Sequence, residues 1–180
     1  MQKAAVPSLL ELKALIQTKT QREFTPCPAL PCGIPKGAIT AIFGPGKTEF
    51  ALQFIAHHPD LVHHPHLKIA WIEEQFSAFP FGFYQRKIQP GRILFIDAAT
   101  EIFWATLQVL RAQVFPVVVF YSADCELNTL RRIQLETERS NRTTLWLAPS
   151  MPSLWPISLG IEIEKTQGGL LKPSVVRQRC

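Results

Sequence analysis

The segment from Gly37 to Ala56 leaves the chain little freedom in what it can become. Ala38-Ile39-Thr40-Ala41-Ile42-Phe43 is a short apolar run that stops at Gly44. Such a run reads as a strand buried on both faces, the kind that forms the interior of a parallel sheet. Gly44, Pro45 and Gly46 make a tight turn, after which Phe50, Ala51, Phe54 and Ile55 recur on one face at helical spacing until His57-His58-Pro59 ends the helix. Strand, glycine loop and helix are thus contiguous, and a central strand of this type commits the chain to an α/β sheet.

The rest of the chain continues the alternation. Leu67 to Ile72 and Arg92 to Asp97 read as strands, followed by a helix whose Phe103, Leu107, Leu110 and Val114 recur on one face until Pro116 stops it. Val117-Val118-Val119-Phe120-Tyr121 is apolar on both faces and belongs in the middle of the sheet, and Asp124 is placed to cap a helix through about Arg139. Leu145 to Leu147 is one more strand. Ile157 to Lys165 and Leu170 to Val176 flank Gln167-Gly168-Gly169, where Gly-Gly suits a hairpin turn. The expectation is a doubly wound, mostly parallel sheet closed by a C-terminal antiparallel hairpin, with no internal repeat.

Ahead of this body, Ser8-Leu9-Leu10-Glu11 has the form of a capping box, and Leu9, Leu12 and Ile16 then lie on one narrow stripe of a short helix. That stripe packs either on its own domain or on another subunit. Pro26, Pro28, Pro31 and Pro35 argue against a helix or a central strand, so residues 25–36 read as a linker. The predicted organisation is a helical arm over 1–24, the linker over 25–36, and a core over 37–180 ending in a short basic tail. With 180 residues, 47% of them hydrophobic and 18% charged, the chain can bury a core. No apolar run approaches the roughly 20 residues of a membrane helix, and Met1 to Pro7 does not resemble a secretory signal, so a cytoplasmic protein is expected. Cys27, Cys32, Cys125 and Cys180 are too scattered for a disulfide framework. The net charge of +5 favours an acidic partner without selecting nucleic acid.

The glycine loop carries the main chemical question. A phosphate loop of the form G-x-x-x-x-G-K-[ST] curls successive amides around the β-phosphate, while Lys reaches the β and γ oxygens and the hydroxyl holds magnesium. Here one residue, Pro45, stands where four belong, and it supplies no N–H. Lys47 and Thr48 still begin a helix, whose positive end favours an anion. Gly44, Gly46, Lys47 and Thr48 are therefore candidate cofactor-binding residues, but of a degenerate loop that would hold phosphate weakly at best.

Gly33-Ile34-Pro35-Lys36-Gly37-Ala38-Ile39-Thr40-Ala41-Ile42-Phe43-Gly44-Pro45, continuing as Gly46-Lys47-Thr48-Glu49-Phe50-Ala51-Leu52-Gln53, resembles the Walker A region of RecA recombinases. Tyr84-Gln85-Arg86-Lys87, the strand ending at Asp97, Leu130 to Leu135 with Glu138, and Glu164 to Gly169 are similar to the smaller RecA-like proteins of the ImuA and SulA group, ImuA being the nearer. Only the loop region is a distinctive motif. The resemblance implies a RecA-like fold. In that family the core strand after the helix ends in an Asp that orders the magnesium-bound water, whereas here it ends Phe120-Tyr121-Ser122. A family Glu that activates water falls at Gln75, with Glu74 one step away. Short of loop length and metal acid, the site is expected to be non-catalytic, with neither ATP nor magnesium as a resident cofactor.

The resemblance further implies an adaptor in the bacterial DNA-damage (SOS) response and translesion DNA synthesis. Such an adaptor acts by protein binding beside a Y-family polymerase-like protein and an error-prone replicative-type DNA polymerase, with RecA or a second copy as further partners. Leu9, Leu12 and Ile16 would imitate the way RecA protomers hook onto a neighbour, and the basic tail with Lys172, Arg177 and Arg179 would reach a second partner. In RecA two mobile loops grip single-stranded DNA. Their counterparts, Ser122 to Glu126 and the proline-bearing Ala148 to Pro156, are short, so direct DNA contact is left open and a recombinase filament is not expected. Two alternatives stand beside the adaptor: a SulA-like inhibitor of cell division, and a residual nucleotide-dependent ATPase or switch.

Four other groupings have plain explanations. His57, His58, His63, His64 and His66 are good metal ligands by chemistry, but they sit in a proline-bearing segment that matches no metal-binding helix spacing. Cys27 and Cys32 lack two further ligands. Arg131, Arg132, Arg139 and Arg142 read as the solvated face of a helix, and Trp146 and Trp155 as core aromatics rather than base-stacking platforms.

Overall fold

A computed structural model describes residues 22–75, 77–153, 155–166 and 168–179. A two-stranded antiparallel ribbon comes first, made of β1 (Phe24–Cys27) and β2 (Leu30–Pro35). The body follows as β3 (Ala38–Phe43), α1 (Lys47–Ala56), α2 (Pro59–His63), β4 (Ile69–Glu73), α3 (Pro80–Gln85), β5 (Ile93–Asp97), α4 (Ile102–Ala112), β6 (Val117–Tyr121), α5 (Leu127–Ser140), β7 (Thr143–Leu147), β8 (Ile157–Lys165) and β9 (Leu171–Gln178). Seven strands form one sheet in the order β5-β4-β6-β7-β3-β8-β9, parallel throughout except for the antiparallel pairing of β9 with β8. The expected α/β class, mostly parallel sheet and C-terminal hairpin are all present.

The apolar runs account for the order of layers. All of β3 is buried, because both of its faces are covered. On one face Ile42, Trp71, Val119, Leu145 and Ile161 pack under Phe50, Phe54 and Ile55 of α1 and Phe83 of α3. On the other, Ile39, Ile72, Val118, Phe120 and Trp146 pack under Ile102 and Leu110 of α4 and Leu130 and Ile133 of α5. Each such buried side chain contributes about 1.5–3 kcal/mol relative to exposure. Among the described residues no helix is long and apolar enough to cross a membrane.

Four local expectations are corrected. Residues 25–36 are not a linker but the ribbon, whose Cys27, Leu30 and Ile34 enter the same core as α1. Proline is tolerated there because a two-stranded ribbon leaves every other backbone group outside its ladder, and Gly33 supplies the φ of +69° where a Cβ would strike the Thr25 carbonyl. Asp124 does not cap α5: Glu126 is the N-cap residue, and Asp124 Oδ1 instead accepts from the Cys125 N–H. In α4 the buried set is Ile102, Ala105, Thr106, Val109 and Leu110, and Val114 lies exposed beyond the helix end, which Gln113 makes in the left-handed region. Trp155 is not a core aromatic; it is 47% exposed, while Trp146 is buried. The arm with Leu9, Leu12 and Ile16 lies outside the described residues.

Candidate functional site

The carboxyl ends of the parallel strands gather the loop after β3, Glu74 after β4, Tyr121 to Asp124 after β6, and Ala148 after β7. Gly44 and Gly46 adopt φ of 90° and 102°, a region open to glycine at no steric cost. Gly46 is the N-cap of α1 and offers no side chain to cap it; its carbonyl accepts from the Phe50 N–H at 2.9 Å, and the Gly44 carbonyl from the Lys47 N–H at 3.3 Å. The short loop is therefore a closed turn and not an open cradle.

The C-terminal hairpin lies directly on that turn. A Cβ on Gly44 would collide with the carbonyl of Ile163 in β8. One on Gly46 would meet Leu171 Cδ2 at 2.7 Å, Lys165 Cε at 3.2 Å and Ile163 Cγ2 at 3.3 Å. Lys47 turns towards the ends of β6 and β7. Its Nζ donates to the Ala148 carbonyl at 2.8 Å and lies 4.8 Å from the centre of the ring of Tyr121, the last residue of β6. Burial holds the Lys47 ammonium below its ordinary pKa, and it makes no ion pair among the described residues. Thr48 is exposed. In the same first turn Glu49 supplies the anion that a helix start favours, with its Oε1 accepting from Arg86 Nε at 2.6 Å and from Gln53 Nε2 at 2.9 Å.

The carboxylates nearest the strand ends are also engaged. Glu73, which sequence reasoning passed over, is the last residue of β4 and buried. It accepts from Trp71 Nε1 at 2.8 Å, and from the backbone N–H groups of Ser77 at 2.5 Å and Ala78 at 3.0 Å. Glu73 thus anchors the turn after β4 and is not presented to a water. Glu74 accepts from Ser122 Oγ at 3.3 Å, and Gln75 is exposed. Of the two loops matched to DNA-gripping segments, Asp124, Cys125, Ala148 and Pro149 line a cleft of about 210 Å³.

The predicted partner residues lie elsewhere. Lys172 is 3.9 Å from Glu164, Arg177 donates to the Pro152 carbonyl at 3.3 Å, and Arg179 to that of Trp155 at 3.0 Å. Lys172 is next to Leu171, which touches the glycine loop, whereas Arg177 is six positions along β9 from Leu171, about 20 Å from the loop. Arg131 stacks its guanidinium over Trp155 at 4.8 Å. Among the histidines, His58 is buried, whereas His57, His63, His64 and His66 are exposed. No group of three or more His, Cys, Asp or Glu able to hold a metal occurs among the described residues. No family model and no curated protein matches the chain.

Proposed function

We propose that this protein is a non-catalytic, RecA-like adaptor of the ImuA type, acting by protein binding in bacterial translesion DNA synthesis. The observation that carries the reading is the tightly packed glycine loop: Ile163, Lys165 and Leu171 pack against Gly44 and Gly46, and Lys47 is turned onto Ala148 and Tyr121. Support for the RecA-like assignment comes from the loop motif at the end of an interior parallel strand and from the antiparallel hairpin that follows β7. A site closed by its own chain favours binding over phosphoryl transfer, which depends on positioned phosphate, metal and water.

The partner is a Y-family polymerase-like protein. Co-purification with it should survive Lys47→Ala and be lost when Leu12 and Ile16 are both replaced by Asp; the opposite pattern overturns the reading. Magnesium-ATP at millimolar concentration should leave the melting temperature unchanged, because a ligand raises it only by binding the folded state. A clear rise would favour a nucleotide switch.

A further inference from the structure

We propose that the aromatic patch of Phe79, Phe81 and Tyr84 is a stacking platform for the bases of single-stranded DNA, with Lys87 beside it to meet the phosphates. This goes beyond protein binding and does not depend on the adaptor reading. Phe79, Phe81 and Tyr84 are 71%, 52% and 64% exposed. Their rings succeed one another across the surface, Phe79 to Phe81 at 6.1 Å between centroids and Phe81 to Tyr84 at 6.2 Å with 26° between the planes. The backbone beneath them is held at two points. Glu73 accepts from the N–H groups of Ser77 and Ala78 ahead of the patch, and the buried Phe83 of α3 sits edge-on between Trp71 and Phe95, at 5.0 and 5.2 Å. Clustered aromatic rings kept in solvent by so fixed an element mark a binding surface.

Charge and ring chemistry select the occupant. From Gln75 to Ile96 the chain carries Arg86, Lys87 and Arg92 and no acidic residue. Glu49 is taken up by Arg86, and Glu73 is buried beneath the turn, so neither opposes a phosphate at the rings. Lys87 is exposed and fixed one turn after Tyr84: its φ is 61°, and its N–H donates to the Tyr84 carbonyl at 2.9 Å. Every base has a π face, and stacking on an aromatic side chain contributes about 1–3 kcal/mol per base whatever the sequence. A duplex keeps those faces inside its own stack. Thymine carries a methyl group that uracil lacks, and its apolar contact with phenyl rings favours DNA over RNA. An acidic peptide would satisfy Lys87 but presents no succession of flat faces to the rings.

Fluorescence anisotropy on the full chain tests this with a labelled oligothymidylate of about ten nucleotides. The comparison probes are an abasic deoxyribose-phosphate strand of the same length, a hairpin duplex and an oligouridylate. Oligothymidylate should bind at least about tenfold tighter than the abasic strand and the duplex, and more tightly than oligouridylate. Phe81→Ala and Tyr84→Ala should each weaken it by at least about fivefold, and Lys87→Gln should lower the slope of log affinity against log salt by about 0.7. Equal binding of the abasic strand, or unchanged affinity in both aromatic variants, would overturn the platform; the abasic comparison leaves the protein unaltered, so misfolding of a variant cannot imitate it. Oligouridylate bound as tightly as oligothymidylate would overturn the choice of DNA. If the native chain does not bind oligothymidylate and Phe81→Ala abolishes polymerase co-purification, the patch belongs to a protein partner: the platform falls and the adaptor reading stands.

Discussion

His58 should make the fold acid-sensitive. The residue follows the end of α1, where its backbone N–H donates to the Ile55 carbonyl, and its ring is driven into the core edge-on to Phe54, with centroids 5.5 Å apart. The side chain is 1% exposed, and neither ring nitrogen has a hydrogen-bond partner among the described residues. Burial pushes its pKa down to about 4, against an upward pull from Asp60 and with a smaller push from Lys36 in the same direction as burial. Because the folded pKa lies below the unfolded value of about 6.5, the unfolded chain takes up the proton first. Stability is complete above about pH 6.5 and falls as the pH drops towards about 4, below which this group takes nothing further. At about 1.4 kcal/mol for each pH unit crossed, the loss is about 3 kcal/mol, or about 10 °C in melting temperature for a chain of this size. Urea unfolding at a series of pH values, for the native chain and for His58→Leu, isolates the term. The native chain should lose about 3 kcal/mol more than the variant between about pH 7 and about pH 4. Parallel curves would refute the reasoning.

Three further perturbations test the site's construction. Glu73→Gln replaces one acceptor oxygen with a donor amide facing Trp71 or the Ser77 and Ala78 N–H groups, and should lower stability by about 2–3 kcal/mol in urea titration. Gly44→Ala combines a left-handed φ of 90° with a collision at the Ile163 carbonyl, and should cost at least about 2 kcal/mol, measured in the same way. Burial, reinforced by Asp124 and Glu126, pushes the Cys125 thiol up to about 12, so its alkylation by iodoacetamide in the native protein should be slower than that of an ordinary exposed cysteine by a factor on the order of a thousand, read by peptide mapping.

What could be read in the sequence was the part decided locally. Val117–Tyr121 has the predicted boundaries because continuous β-branched and apolar residues can be satisfied only by burial on both faces, and Ile157–Lys165 has them as well. The ribbon over 24–35 was hidden by its prolines, whose missing N–H groups exclude a central strand but not a short ladder of this kind. The six-residue α3, with Gly82 inside it, has too few turns to show a period. Trp155 lies exposed under the guanidinium of Arg131, a placement that no local pattern marks. The fate of Lys47 was equally illegible, since its acceptor is 101 residues away and is brought near only by the pairing of β3 with β7. Glu73 did leave a signal: a charge at the end of an otherwise apolar strand, two residues from a Trp whose N–H it takes.

Magnitudes decide which feature closes the glycine loop. Freeing Lys47 would sacrifice one charged hydrogen bond and one cation–π contact, together about 2–4 kcal/mol, or a factor of about 30 to 1000 in affinity. That alone would weaken a phosphate site without abolishing it. The backbone obstacle is larger. The backbone of Ile163 lies against Gly44, and it cannot withdraw without β8, which is paired with β3 from Ile39 to Phe43 with Ile161 and Ile163 fully buried. Exposing those two isoleucines would by itself cost about 3–6 kcal/mol, before any ladder bond is broken. Even then Pro45 would offer no N–H to a phosphate. Close approach of β8 accounts for glycine at both positions without any phosphate, so the hairpin, more than the turned lysine, makes this loop a packing joint.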